Sequence, residues 1–255
     1  MYFLIPPSEG KTDATKGSSL NLKKLPFQEL NVKREHLLNS LIQVCAKNPT
    51  QAAKLLDLGP TQHEMLETNK HLRSAHCAPA IEIYSGVLFD HFDYGHLNAR
   101  GKKAAEGSVL IASALFGFVS PSSPIPAYRL SGSAVLPEIG SLSGYWKPEL
   151  NETLESLSDE LIIDMRSGTY SKLAPLPRDS HGIEVKVMTE IKGVRKSVTH
   201  FNKATKGDLL HACFSSSKKL PKKIAELESY FTSLGFDAAL EESKSGKPEL
   251  IVLTD

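Results

Sequence analysis

The 255-residue sequence predicts a mixed α/β (α+β) fold, a single compact domain over 1–255 with a central mixed sheet. Three observations predict it. Short apolar runs typical of buried strands are interspersed with stretches of helical periodicity. Hydrophobic residues make up 40% of the chain and charged residues 23%, as in an ordinary globular protein. No clear linker divides the chain.

The first elements are a strand and a long helix. Tyr2–Ile5 is apolar and ends at two prolines, which favours a buried first strand. Residues 13–25 carry no regular pattern and are expected to be irregular. Asn31–Ala46 places leucines, isoleucine and Cys45 on one face at helical spacing, which predicts a helix.

Residues 50–73 predict a helical hairpin. Helices at 50–56 and 61–72 flank the turn Leu58-Gly-Pro60, with Thr50 and Thr61 as candidate N-caps and Glu64 at capping-box distance from Thr61. The element resembles the helix-hairpin-helix units that hold DNA phosphates through backbone N–H groups. Thr61 or Gln62 stands where such units have a second glycine. A plain helical hairpin packed on the core is therefore the alternative interpretation.

The second half predicts the rest of the sheet. Val109–Val119, the most apolar stretch, indicates a strand with a turn at Gly117, and Leu161–Ile163 indicates a short buried strand. Ile183–Ile191 alternates apolar and polar residues, as an edge or meander strand does, with Arg195–Phe201 as its hairpin partner. The pattern closes with helices at 206–215 and 221–234 and strands at 236–240 and 249–253.

Composition and motif spacing exclude several classes of protein. The net charge of +1 gives no bulk attraction to nucleic acid. Three widely separated cysteines predict reduced thiols and a cytoplasmic protein. No apolar run is long enough for a signal peptide or a membrane span. Nine scattered histidines show no metal-ligand spacing, so neither a metal nor a cofactor is predicted. The loop ending Gly10-Lys-Thr12 is not a nucleotide-binding P-loop, because Ile5 stands where that motif needs glycine.

Three polar segments follow apolar runs and supply the candidate site residues, since open α/β folds build their sites where strands end. Segments 125–132 and 164–172 combine cations, tyrosines and small residues. In segment 200–207, a histidine and two lysines stand three residues apart, and the helix start that follows would attract anions. The candidates for binding phosphate are Lys11, Arg129, Arg166, Lys172, Lys203 and Lys206, with Lys54 and Lys70 beside the helical hairpin.

On these segments the chain resembles the YaaA family of peroxide-stress proteins. The most specific signature is Ser113-Ala-Leu-Phe-Gly-Phe-Val-Ser-Pro121 followed by Ile125-Pro-Ala-Tyr-Arg-Leu-Ser-Gly132, and segments 1–12, 83–89, 164–172 and 203–207 match in order. One departure is Lys206, where the family usually has arginine. The resemblance implies a cytoplasmic protein that limits hydrogen-peroxide damage, with lower free iron and DNA binding through a positive cleft. It brings no established catalytic mechanism.

Two functional hypotheses follow. In the first, the chain is a DNA-binding protein of peroxide stress. Its candidate cations converge on one cleft and hold duplex or branched DNA with little sequence specificity, while Tyr128 and Tyr170 stack on a base or sugar. In the second, it is an enzyme acting on a nucleotide or another phosphorylated small molecule, with Asp164 as a base and Arg129 as a clamp. The candidate catalytic residues are Asp164, Tyr128, Tyr170 and His200.

Overall fold

One mixed sheet runs through the chain. The computed structural model describes residues 1–177, 180–191, 194–197, 200–243 and 246–254, with the backbone alone at Ile191, Val194, Ser197 and His200. The strands of the sheet are β1 (Tyr2–Ile5), β2 (Val109–Ser113), β3 (Gly117–Val119), β4 (Ile162–Asp164), β5 (Gly182–Ile191), β6 (Val194–Ser197), β7 (Asp237–Glu242) and β8 (Pro248–Thr254).

The strand order is β7-β8-β5-β4-β1-β2-β3, with β6 paired to the end of β5. Strands β8, β5, β4, β1 and β2 are parallel to one another. Strands β3, β6 and β7 run antiparallel to their neighbours. The loops after β1, β2 and β4 therefore leave the same edge of the sheet, the edge at which open α/β folds place ligands.

Helices pack around this sheet. They are α1 (Asn31–Lys47), α2 (Pro49–Leu55), α3 (Glu64–Lys70), α4 (Ala80–Ile83), α5 (Val87–Phe92), α6 (Ala99–Glu106), α7 (Leu142–Glu155), α8 (Gly168–Ser171), α9 (His200–Ser215) and α10 (Leu227–Thr232). Single 3-10 turns occur at Leu22–Lys24, Gln28–Leu30, Pro60–Gln62, Tyr94–His96 and Ile224–Glu226. In the described ranges, every helix is too short or too polar to cross a membrane.

The hairpin between β2 and β3 is fixed by two buried side chains. Arg34 of α1 is fully buried and donates to the Phe116 and Phe118 carbonyls at 2.9 and 3.0 Å. Trp146 of α7 donates its indole N–H to the Ala114 carbonyl at 2.9 Å. Because buried carbonyls need partners, these bonds let the hairpin enter the core.

The predicted fold class is confirmed, with corrections to single elements. Helix α9 begins at His200, six residues before the predicted start. Strand β5 lies inside the sheet between β4 and β8, so it is not an edge strand. Thr50 and Thr61 are not the caps. Asn48 accepts from the Gln51 N–H at 3.0 Å, and Gln62 accepts from the Gly59 N–H at 3.1 Å.

Helix α7 has no counterpart among the sequence predictions, because Pro148 lies inside it. A proline inside a helix costs about 3 kcal/mol. Four residues at a spacing of four form the buried face that offsets this cost by removing large apolar side chains from water. They are Leu142, Trp146, Leu150 and Leu154.

Candidate functional site

A buried ion pair shapes the loop after β4. Arg166 donates from Nε and Nη2 to the two carboxylate oxygens of Asp164 at 2.9 and 2.7 Å, and Nη2 also donates to the Ala174 carbonyl at 2.8 Å. Both side chains are buried. The fork-to-carboxylate geometry fixes the guanidinium in one orientation. The Asp164 carboxylate, the candidate base, is therefore already engaged at both oxygens.

Two adjoining pockets of about 380 and 540 Å³ form an elongated depression, which we call the groove. They meet at Arg166 and Glu184, which line both. Among the described residues that line the groove, six are cationic and three are acidic. The cations are Arg166, Lys172, Lys186, Lys203, Lys206 and Lys247, and the acids are Asp164, Glu184 and Glu249.

Two of the three acids already have cationic partners. Asp164 pairs with Arg166, and Glu249 pairs with Lys186 at 2.6 Å. The excess positive charge of the groove therefore resides on its remaining lysines. Lys172 and Lys203 are exposed, so their ammonium groups can reach a ligand that lies along the groove.

Lys206 is the buried lysine of the groove, with 7% of its surface exposed. Its Nζ donates to the Met165 carbonyl at 3.0 Å. Burial lowers the pKa of this amine, and the charges of Asp164 and Glu184 partly oppose that shift. Gly207 lets α9 pack closely against α5, because a Cβ at this residue would come within 2.5 Å of the Leu88 carbonyl on α5. Close packing of α9 on α5 thus places Lys206 in the groove.

A second group of charges surrounds Lys11, in the loop after β1. The Lys11 Nζ donates to the Ser8 carbonyl at 3.0 Å and lies 4.2 Å from the centre of the Tyr128 ring. Burial lowers the pKa of Lys11 to about 8, with nearby Arg129 acting in the same direction and Glu9 opposing. Lys11, Glu9 and Arg129 are called the Lys11–Arg129 cluster below.

Arg129 is held at its backbone and only partly satisfied at its side chain. Asn69, buried on α3, donates to the Arg129 carbonyl at 2.8 Å and accepts from its N–H at 2.9 Å. The Arg129 Nη1 donates to Glu9 Oε2 at 2.8 Å. The Arg129 Nε is buried and has no hydrogen-bond partner among the described residues. The sequence patterns gave no sign of the roles of Asn69 and Glu9, which depend on contacts between distant parts of the chain.

The two candidate tyrosines are buried, which corrects the expectation that they stack on a base. Tyr128 and Tyr170 are 3% and 6% exposed. The Tyr128 hydroxyl bonds to Tyr84 and Ser113 at 2.9 and 2.8 Å, and the Tyr170 hydroxyl accepts from the Gly132 N–H at 3.3 Å. Burial raises the pKa of both phenols, so they stay protonated at neutral pH.

Phe201 of α9 is 57% exposed, and it lines neither pocket of the groove. Lys54 is exposed on α2, and Lys70 on α3 pairs with Glu67 at 2.6 Å. The His200 side chain lies outside the described residues. Within those residues, no group of histidine, cysteine and acidic side chains could hold a metal ion.

Fold and site together define a class: an open mixed α/β protein with a cationic groove that lies beside the end of β4 and along β5. A family model described as peroxide stress protein YaaA matches residues 1–239. A UPF0246 protein of Streptomyces coelicolor is 34% identical over 251 residues, which are 97% of this chain and 96% of that protein. A UPF0246 protein of Corynebacterium efficiens is 37% identical over 224 residues, 86% and 87% of the two chains. The chain therefore belongs to the YaaA family of peroxide stress proteins.

Proposed function

We propose that this peroxide stress protein binds DNA in the groove, through contacts to backbone phosphates. The excess of cations over acids along the groove supports the proposal, since it is concentrated there in a chain of net charge only +1. Lysines that neutralise phosphates release counterions, and this release supplies most of the affinity of non-specific DNA binding. A cytoplasmic location accompanies the proposal, because chromosomal DNA would be the ligand.

Within the groove, buried and exposed cations suit different roles. Lys206 is fixed by its hydrogen bond to the Met165 carbonyl, so it would set a positive potential without moving, whereas the charge of Arg166 is balanced by Asp164. Lys172 and Lys203 are exposed and would contact phosphates directly.

A salt titration of duplex binding tests the proposal with Lys203→Ala, Lys172→Ala and the control Lys103→Ala, an exposed lysine of α6. Each groove variant is expected to weaken binding and to lower the slope of log affinity against log salt by about one. The control is expected to keep the slope of the native protein. Equal slopes in all four proteins would refute the groove as the DNA site.

A phosphorylated small molecule is the second candidate, and the larger pocket of the groove favours it. Its volume of about 540 Å³ lies within the range of about 300–1,000 Å³ typical of small-molecule sites. Buried Lys206 would pair with a phosphate there, as a desolvated point charge. Asp164 is less suited to act as a base, because its carboxylate accepts from Arg166 at both oxygens. Saturable mononucleotide binding that Lys206→Met abolishes, together with absent duplex binding, would favour this candidate.

A further inference from the structure

The Lys11–Arg129 cluster holds two cations against one nearby carboxylate. Lys11 is half-buried and Arg129 is 15% exposed, so both cations are largely removed from water. Glu9 is the more exposed partner, with 53% of its side chain open to solvent. A desolvated positive charge is costly unless an anion balances it. The cluster is therefore short of negative charge by about one unit.

The Arg129 guanidinium also has an unused donor. Glu9 accepts at Nη1 alone, while the buried Nε finds no partner among the described residues. An unpaired buried N–H costs roughly 1–3 kcal/mol. A planar guanidinium suits bidentate oxyanions, which accept from two of its nitrogens at once. The Glu9 carboxylate thus accepts from only one of the guanidinium nitrogens of Arg129.

We propose that the Lys11–Arg129 cluster is a second anion site, built for a phosphate-type oxyanion, and that the Glu9 carboxylate competes with that anion for the positive charge of the cluster. The incoming anion accepts from Arg129 at Nε and Nη2, which share the guanidinium edge that Glu9 on Nη1 leaves open, and is balanced by the Lys11 ammonium. The site uses none of the side chains that line the groove, so it goes beyond the proposed DNA binding. Its ligand is either free phosphate or a phosphate of DNA.

Titration with inorganic phosphate tests the site, with the Arg129 Nε–H resonance in the NMR spectrum as the local probe. The resonance is expected to shift and saturate in the native protein. Glu9→Gln removes the competing carboxylate and is expected to raise phosphate affinity about two- to fivefold, the effect of releasing a partly exposed ion pair. The matched control is Glu35→Gln, which removes an exposed carboxylate from its pair with Arg73 and is expected to change nothing.

The Arg129 resonance also separates the two sources of the anion. A shift with inorganic phosphate alone assigns a free oxyanion, and a further shift with a short duplex assigns a DNA phosphate. Lys203→Ala is expected to weaken duplex binding but leave the phosphate titration unchanged. Failure of DNA binding would therefore not affect this result. An Arg129 resonance unmoved by both ligands, or equal gains in Glu9→Gln and Glu35→Gln, would overturn the site.

Discussion

Lys11 shows how surroundings change the chemistry of a single residue. In water its amine would stay charged until about pH 10.4. Here burial lowers the pKa to about 8, because the ammonium lies over the Tyr128 ring and gives up hydration. The carboxylate of Glu9 favours the charged form, and the charge of Arg129 disfavours it. Lys11 therefore loses its proton in a range where ordinary lysines keep theirs.

Phosphate binding at the Lys11–Arg129 cluster is expected to weaken as the pH rises from 7.5 to 9. The ammonium that attracts the anion is present below the lowered pKa and is lost above it. Tyr84 and Tyr128, which face Lys11, stay neutral throughout, because burial raises the pKa of both. We expect a fall of about tenfold, the size of one charge-assisted hydrogen bond.

Calorimetry at several pH values measures this effect, and Lys11→Met is the matched control. The methionine retains an apolar stem over Tyr128 but carries no charge. Its affinity is expected to be lower than that of the native protein and independent of pH over the same range. An unchanged affinity of the native protein between pH 7.5 and 9 would contradict the role of Lys11.

Among the elements, the helical hairpin of α2 and α3 links the core to the Lys11–Arg129 cluster. Its inner face is buried at Ala52, Ala53 and Leu66. From that face Asn69 forms two hydrogen bonds to the backbone of Arg129. These contacts agree with the interpretation of residues 50–73 as a hairpin packed on the core. DNA binding by its turn stays a prediction, which a Lys54→Ala variant can test in the duplex titration.

Asn69→Ala is expected to lower the free energy of unfolding by about 2 kcal/mol, because it leaves a partly buried N–H and a partly buried carbonyl of Arg129 unpaired. The variant is also expected to weaken phosphate binding, because the backbone from which the Arg129 side chain extends is no longer held by Asn69. Urea denaturation and the phosphate titration measure the two effects. Thr68→Ala, on the same helix, is the control and is expected to change stability by less than about 1 kcal/mol. Equal stability of the two variants would show that the Asn69 bonds contribute little.

For the molecule as a whole, membership of a peroxide stress family raises the question of whether its own thiols react with peroxide. Cys45, Cys77 and Cys213 are all buried. Burial raises the pKa of Cys77 to about 11 and of Cys213 to about 12, and also raises that of Cys45. Because the thiolate is the form that reacts, these cysteines are chemically protected in the folded protein.

The folded protein is expected to react with a thiol reagent at pH 7.5 at least about a hundredfold more slowly than the urea-unfolded chain, because local opening must precede reaction. Absorbance kinetics with an aromatic disulfide reagent measure both rates on the same sample. The unfolded chain serves as the control and is expected to release three equivalents rapidly. One thiol that reacts fast in the folded state would instead point to a redox-active cysteine.

The sequence by itself determined the fold class, the long helix α1 and the strands of the sheet. Period and apolar content are local properties, and short buried strands such as β1 and β4 carry them clearly. The sequence also located the polar segments after β4 and around Arg129, because residues that follow buried strands collect at one edge of an open sheet. The sequence did not predict helix α7, because Pro148 lowers the local helix propensity and the burial of Trp146 that offsets it depends on tertiary packing.

Only the tertiary structure decided what those polar residues contact. Glu9 reaches Arg129 across 120 residues of sequence, and Asn69 reaches its backbone across 60. Residues of similar type also differ in their exposure to solvent. Tyr128 and Lys206 are buried, whereas Phe201 and Lys203 are exposed. Exposure and long-range pairing arise when the chain packs, because solvent is excluded by segments far apart in sequence. No local pattern records which distant segment will cover a given side chain.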